Sequence, residues 1–75
     1  MNNYLDQIKN TIAKHNGSEE ITPESYFEDD LNVGELELIE ILTELEDEYH
    51  IDLISRKGEV ETVQDLVDLI SELVE

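Results

Sequence analysis

Residues 33–49 constrain the fold most, because their apolar side chains recur every three or four positions through most of the segment. The predicted stripe consists of Leu36, Ile39, Leu42, Leu45 and Tyr49, and it is widened by Leu38 and Ile41. A face this broad is typical of a helix that several other elements contact. The sequence therefore predicts a long central helix.

Two further segments, 4–14 and 63–74, have the same periodicity. Their inward positions are Leu5, Ile8 and Ile12 in the first and Val63, Leu66, Val67, Ile70 and Leu73 in the second. Thr62 followed by Asp65 resembles a capping box, in which each side chain bonds the backbone N–H of the other residue. No run alternates over five residues, so no sheet is expected.

The connections 17–32 and 50–61 join these helices. The first contains Ile21, Tyr26, Phe27 and Leu31, which predicts that it packs on the core, and Thr22-Pro23 suits a single turn. The second predicts at most a short turn before Gly58. The expected fold is all-α, one domain over residues 1–75, with three long helices and one short helix or turn. The predicted core is Leu5, Ile8, Ile12, Phe27, Leu36, Ile39, Leu42, Leu45, Leu66, Val67 and Ile70.

The charge of the chain limits its partners. Twenty-one acidic residues against four basic ones give a net charge of −17. Nucleic acid and anionic membrane surfaces are repelled, whereas proteins with basic patches are attracted. Salt and divalent cations are expected to stabilise the fold. With no membrane-span or signal-peptide pattern, a cytoplasmic monomer is expected.

Parts for catalysis are scarce. There is no cysteine, and neither His15 nor His50 neighbours a nucleophile in sequence. Each histidine is predicted at a helix end, where it suits the helix dipole. Paired carboxylates arise by chance in so acidic a chain, so no enzyme activity is expected.

Asp29, Gly34 and Glu40 have the spacing of the first, sixth and last positions of a calcium-binding EF-hand loop. Its third and fifth positions would be Leu31 and Val33, which lack side-chain oxygen ligands. No specific metal site is predicted, and weak divalent binding to acid clusters is expected.

Three stretches carry a resemblance to a known family: YFEDDL at residues 26–31, LELIEILTELEDEY at 36–49 and VETVQDL at 60–66. In order and spacing the chain resembles the acyl carrier proteins, and the resemblance covers essentially its whole length. It implies a bundle of three long helices and one short one.

The chain departs from the family's pattern in two ways. The stretch between the second and last helices is a little short, which favours a turn in place of the third helix, and the attachment motif is replaced. The family's Asp-Ser-Leu motif, whose serine receives 4′-phosphopantetheine through a phosphodiester, aligns with Gly34-Glu35-Leu36. Glutamate has no hydroxyl for this bond, and no serine lies between Ser25 and Ser55. No cofactor is therefore predicted.

Glu35 has a local structural interpretation. With Asn32 as N-cap it occupies the third helical position, where its carboxylate can bond the backbone N–H of the cap, and Leu31 and Leu36 are spaced as a hydrophobic staple. An acid also suits the first turn. In an alternative interpretation, its charge imitates the phosphate of the missing arm for a partner.

The main hypothesis is an acyl-carrier-protein-like module that docks on basic proteins, among them enzymes of acyl or peptide synthesis, through its second helix. The predicted docking acids are Glu37, Glu40, Glu44, Asp47 and Glu48, of which Glu37, Glu40 and Asp47 match acidic recognition positions of the family. The simpler interpretation is a solvated helix face. Two alternatives stay open: a genuine acyl or peptidyl carrier in fatty-acid, polyketide, peptide or cell-wall synthesis, with 4′-phosphopantetheine attached atypically, and an acidic divalent-cation-binding protein.

Overall fold

Three α-helices and one 3₁₀ helix make up the fold of the computed structural model, which describes residues 4–16 and 21–75. The helices are α1 (Tyr4–Asn16), α2 (Glu35–Tyr49), the 3₁₀ helix (Ile54–Glu59) and α3 (Val63–Val74). The described residues contain no strand, only an isolated antiparallel bridge between Tyr26 and Thr62. The predicted all-α bundle is confirmed. The sequence also favours Asn3 as the N-cap of α1 and Asn16-Gly17 as its end, but Asn3 and Gly17 lie outside the described residues.

The core lies where α1 meets α2 and α3, and the 3₁₀ helix covers one side of α2. Its completely buried side chains include Ile8, Ile12, Leu42, Leu45, Leu66 and Ile70, all of which were predicted. Leu5 and Val67 are half-buried against this cluster. Burial of this apolar surface is the main stabilising contribution to a domain of this size.

The prediction was wrong for Leu36, whose side chain is 78% exposed. Ile39 is only half-buried. Residues at spacing three fall about 60° behind one another on a helix of 3.6 residues per turn, so that Leu36 ends up opposite Leu45 after nine residues. The inward face of α2 is instead formed by Leu38, Ile41, Leu42, Leu45 and Tyr49.

The first connection packs on the core as predicted, with Ile21, Phe27 and Leu31 buried, although Tyr26 is 46% exposed. Its backbone is bonded to the start of α3. The N–H of Phe27 donates to the carbonyl of Glu61 at 3.0 Å, and the N–H of Val63 donates to that of Ser25 at 3.0 Å. The loop and the start of α3 thus form one unit.

The start of α3 has the predicted capping box. The Asp65 N–H donates to Thr62 Oγ1 at 3.1 Å, and the Thr62 N–H donates to Asp65 Oδ2 at 3.1 Å. Both bonds join residues three apart, so the local sequence is sufficient to specify them.

The second connection is capped by an acid of α2 that the sequence did not reveal. Glu46 Oε2 accepts the N–H groups of Leu53 at 2.6 Å and Ile54 at 2.9 Å, and it thereby caps the start of the 3₁₀ helix. That helix is longer than the predicted turn and includes Gly58. At the end of α2, His50 adopts a left-handed conformation and its N–H bonds the carbonyl of Glu46.

Candidate functional site

The junction at Gly34, Glu35 and Leu36 faces solvent. Gly34 is the N-cap of α2, with extended backbone (φ −76°, ψ 174°) and no side-chain hydrogen bond. Glu35 is the first residue of the helix, and both it and Leu36 are exposed. This junction holds no hydroxyl group, and it presents a carboxylate and an apolar side chain to solvent.

The predicted cap at Asn32 is wrong. Asn32 has a left-handed backbone (φ 57°), and the helix begins two residues later than a cap there requires. Val33 is the reason: its side chain is 3% exposed and its N–H donates to the Phe27 carbonyl at 2.7 Å, which holds this residue outside the helix. The staple is wrong as well, since Leu31 is buried and Leu36 is not.

Glu35 instead forms an ion pair across the surface. Its Oε2 lies 3.3 Å from Lys57 Nζ on the 3₁₀ helix, with the two side chains 74% and 35% exposed. An exposed pair contributes at most about 1 kcal/mol. The expectation of an acid in the first turn of α2 is confirmed, but the partner is 22 residues away and was not predicted.

A cleft of about 450 Å³ opens beside Glu35. Phe27, Val33 and Val60 are among its apolar lining residues, and all three are buried. Its charged lining residues are Glu28, Asp29, Glu35, Lys57 and Glu61. Four carboxylates against one ammonium give the lining an excess of three negative charges, which disfavours a phosphate there.

The serines that bound the junction in sequence, Ser25 before it and Ser55 after it, take part in local structure. Ser25 is buried, and its Oγ bonds the N–H and the hydroxyl of Thr22. Ser55 Oγ donates to Asp52 Oδ2 at 2.9 Å. Neither serine lines the cleft.

The five acids predicted for docking lie on two rows of α2. Residues 4, 7 or 11 positions apart lie within about 40° of one another around a helix. Glu40 and Asp47 therefore share a row with Leu36, opposite the buried face. The other row, closer to α1, holds Glu37, Glu44 and Glu48.

The last turn of α1 contacts both rows. Lys14 Nζ lies 2.7 Å from Glu44 Oε1, and His15 contacts Glu44 through Nε2 and lies 3.6 Å from Glu40 through Nδ1. The hydrogen bonds from Lys14 and His15 lower the pKa of Glu44 below its ordinary value of 4.5. His15 is in the last turn of α1 as predicted, but these contacts with α2 were missed.

Two features of the described residues bear on ligand and membrane chemistry. No group of three or more histidine, cysteine or acidic side chains there is arranged to hold a metal ion. Among the same residues, no helix combines the length and the hydropathy that a membrane crossing needs.

Similarity to known proteins extends along nearly the whole chain. It is 32% identical over 73 residues to an acyl carrier protein of Thermosynechococcus vestitus, an alignment that covers 93% of this chain and 90% of the relative. It is 32% identical over 77 residues to an acyl carrier protein of Buchnera aphidicola subsp. Baizongia pistaciae, with 99% of both chains covered. No protein-family model matches the chain. The helical architecture and these near full-length matches together show that the chain belongs to the acyl carrier protein family.

Proposed function

We propose that this member of the acyl carrier protein family docks on basic surfaces of partner proteins without carrying covalent 4′-phosphopantetheine. The observation that carries the proposal is the exposed Glu35 at the first residue of α2, in the position that the resemblance assigns to the modified serine. A phosphodiester needs a hydroxyl oxygen, and the junction at residues 34–36 offers none.

The residues around the junction do not fit the cofactor. Lys57, the cation of the cleft, is paired with Glu35, and the acidic lining repels a phosphate. No step through 4′-phosphopantetheine is therefore part of this proposal. The charge of Glu35 itself supports the alternative that it imitates the phosphate for a partner.

The docking surface is the exposed side of α2. It combines Glu40 and Asp47 with the exposed Leu36, and Glu37, Glu44 and Glu48 extend it toward α1. Basic proteins, among them enzymes of acyl or peptide synthesis, would be steered to it by charge and held by an apolar contact at Leu36. A cytoplasmic monomer, as expected from the sequence, is part of the proposal.

A genuine carrier is the second candidate, and it is favoured by the similarity to two acyl carrier proteins over nearly the whole length. In that case the chain would hold 4′-phosphopantetheine at an atypical residue. The divalent-cation-binding alternative gains no support from the described residues.

Intact-mass measurement after incubation with a phosphopantetheinyl transferase and coenzyme A separates the two candidates. We expect the mass to stay unchanged, and a gain of one phosphopantetheine would establish the carrier instead. Glu35→Ser, alone and with Gly34→Asp, is the paired variant. Modification of these variants but not of the natural chain would show that the scaffold is recognised and that Glu35 blocks attachment.

Docking is tested with a basic probe, a synthetic helical peptide with a lysine at every fourth position. Changing both Glu40 and Asp47 to lysine should slow association much more than changing both Glu24 and Asp68. Both pairs alter the net charge equally, and the control acids are exposed and form no ion pair among the described residues. Equal losses would show that the second helix is not the recognition element.

A further inference from the structure

The last turn of α1 places a lysine and a histidine against the same acids that the proposed docking surface offers to a partner. Lys14 and His15 contact Glu44, and His15 also approaches Glu40. The Lys14 and Glu40 side chains are 66% and 64% exposed, so the contact lies at the surface, where a partner can reach it.

The five docking acids therefore differ in whether a cation within the chain already pairs with them. Glu44 lies midway along its row and already has a cation 2.7 Å away. Glu37, Asp47 and Glu48 form no ion pair with the described residues. A partner lysine that approaches Glu44 meets a carboxylate whose charge is largely balanced, together with a like charge on Lys14.

We propose that Lys14 and His15 compete with the cations of a partner for the acids in the middle of the α2 docking surface. The inference rests on the docking function proposed above. The partner it fits is a basic segment whose lysine or arginine side chains reach Asp47 and Glu40 along one row and displace α1 from Glu44. Seven residues of helix separate Asp47 from Glu40, or about 10 Å.

The competitor weakens binding but does not block it. Exposed ion pairs are weak, and they exchange for equivalent pairs at small cost. Removal of Lys14 should therefore tighten probe binding by about two- to fivefold, which is the range that an exposed pair contributes. Loss of one positive charge anywhere on a chain of net charge −17 should have a much smaller effect.

The test compares Lys14→Gln with Lys9→Gln in binding to the lysine-rich helical peptide at fixed low salt. Lys9 lies on the same helix, forms no ion pair among the described residues and changes the net charge equally. We expect tighter binding for Lys14→Gln by about two- to fivefold and a change below about 1.5-fold for Lys9→Gln. Equal effects of the two variants would overturn the inference.

A second arm uses the Glu44→Gln background. Without the Glu44 carboxylate, Lys14 has no ion pair there to break. Lys14→Gln and Lys9→Gln should then change the affinity for the peptide equally. A persistent difference would also overturn the inference. Loss of the docking function would look different, because the Glu40 and Asp47 reversals would then affect peptide binding no more than those of Glu24 and Asp68.

Discussion

The starts of α2 and α3 are both preceded by a residue suited to cap a helix, yet they are built differently. At α3, Thr62 and Asp65 form reciprocal hydrogen bonds, and the first connection adds its backbone bonds. At α2, Gly34 caps without a side-chain bond, and order comes from the buried Phe27 and Val33 just before the helix. Because residues before α2 hold its start, its first-turn side chains take no part in capping, whereas the capping box of α3 uses Thr62 and Asp65 for folding.

The largest expected effect tests how the start of α2 is held. Phe27→Ala should lower the free energy of unfolding by about 3–5 kcal/mol, because it leaves a cavity beneath the loop that precedes the helix. Urea denaturation measures the loss, and Phe27→Leu gives a milder variant that stays folded. The adjacent Tyr26→Ala should cost far less, since this side chain is 46% exposed. Similar losses at both positions would mean that Phe27 does not anchor the junction.

The next effect concerns the cap of α3. Thr62→Ala should lower the free energy of unfolding by about 1 kcal/mol, because the backbone N–H of Asp65 loses its acceptor, Thr62 Oγ1. Thermal or urea unfolding measures it.

The matched change at α2 is Gly34→Ser, which should raise the free energy of unfolding by a few tenths of a kcal/mol. The backbone there is extended, and a Cβ would meet no atom within 4 Å, so a serine can supply the missing cap. Destabilisation by Gly34→Ser would show that the backbone N–H groups at the start of α2 need no side-chain cap. The two helix starts would then not differ in capping.

The same contrast shows which parts of the structure can be predicted from the sequence. The capping box and the apolar periodicity of α1 and α3 are local patterns, and each was predicted correctly. Leu36 was misplaced because steps of three residues drift around a helix, and the start of α2 was misplaced because burial of Val33 overrode the local signal. The pairs of Glu35 with Lys57 and of Glu44 with His15 join residues 22 and 29 positions apart, a separation that no local pattern encodes.

The smallest expected effect is pH-dependent. The pKa of Glu44 is lowered chiefly by its hydrogen bond to Lys14, so its contribution to stability is present above the ordinary value of 4.5 and is lost as the pH falls through the lower folded-state pKa. At pH 7, Glu44→Gln should lower the free energy of unfolding by less than about 1 kcal/mol, because the ion pair of Glu44 with Lys14 is exposed.

That advantage should shrink as the pH falls below 4.5 and vanish below the lowered folded-state pKa of Glu44, where its carboxylate is protonated in both states. Thermal unfolding of the two proteins from pH 7 to pH 3 measures it. Asp68→Gln is the control, since this acid bonds only the side chain of Gln64 among the described residues. A constant difference across the pH range would show that Glu44 is not held by a charged partner.

The exposed Leu36 has a consequence for the association of the chain with a second copy. The hydrophobic effect is non-directional, so a large apolar side chain on the surface can be covered by any apolar surface, that of a second copy included. Around this leucine, however, Glu35, Glu37 and Glu40 would meet the same acids of another molecule across any symmetric contact, and repulsion would oppose the pairing. In the proposed docking, only a partner surface of opposite charge can bring an apolar pocket to Leu36. The apolar contact itself has no specificity, so the surrounding acids determine which partners reach it.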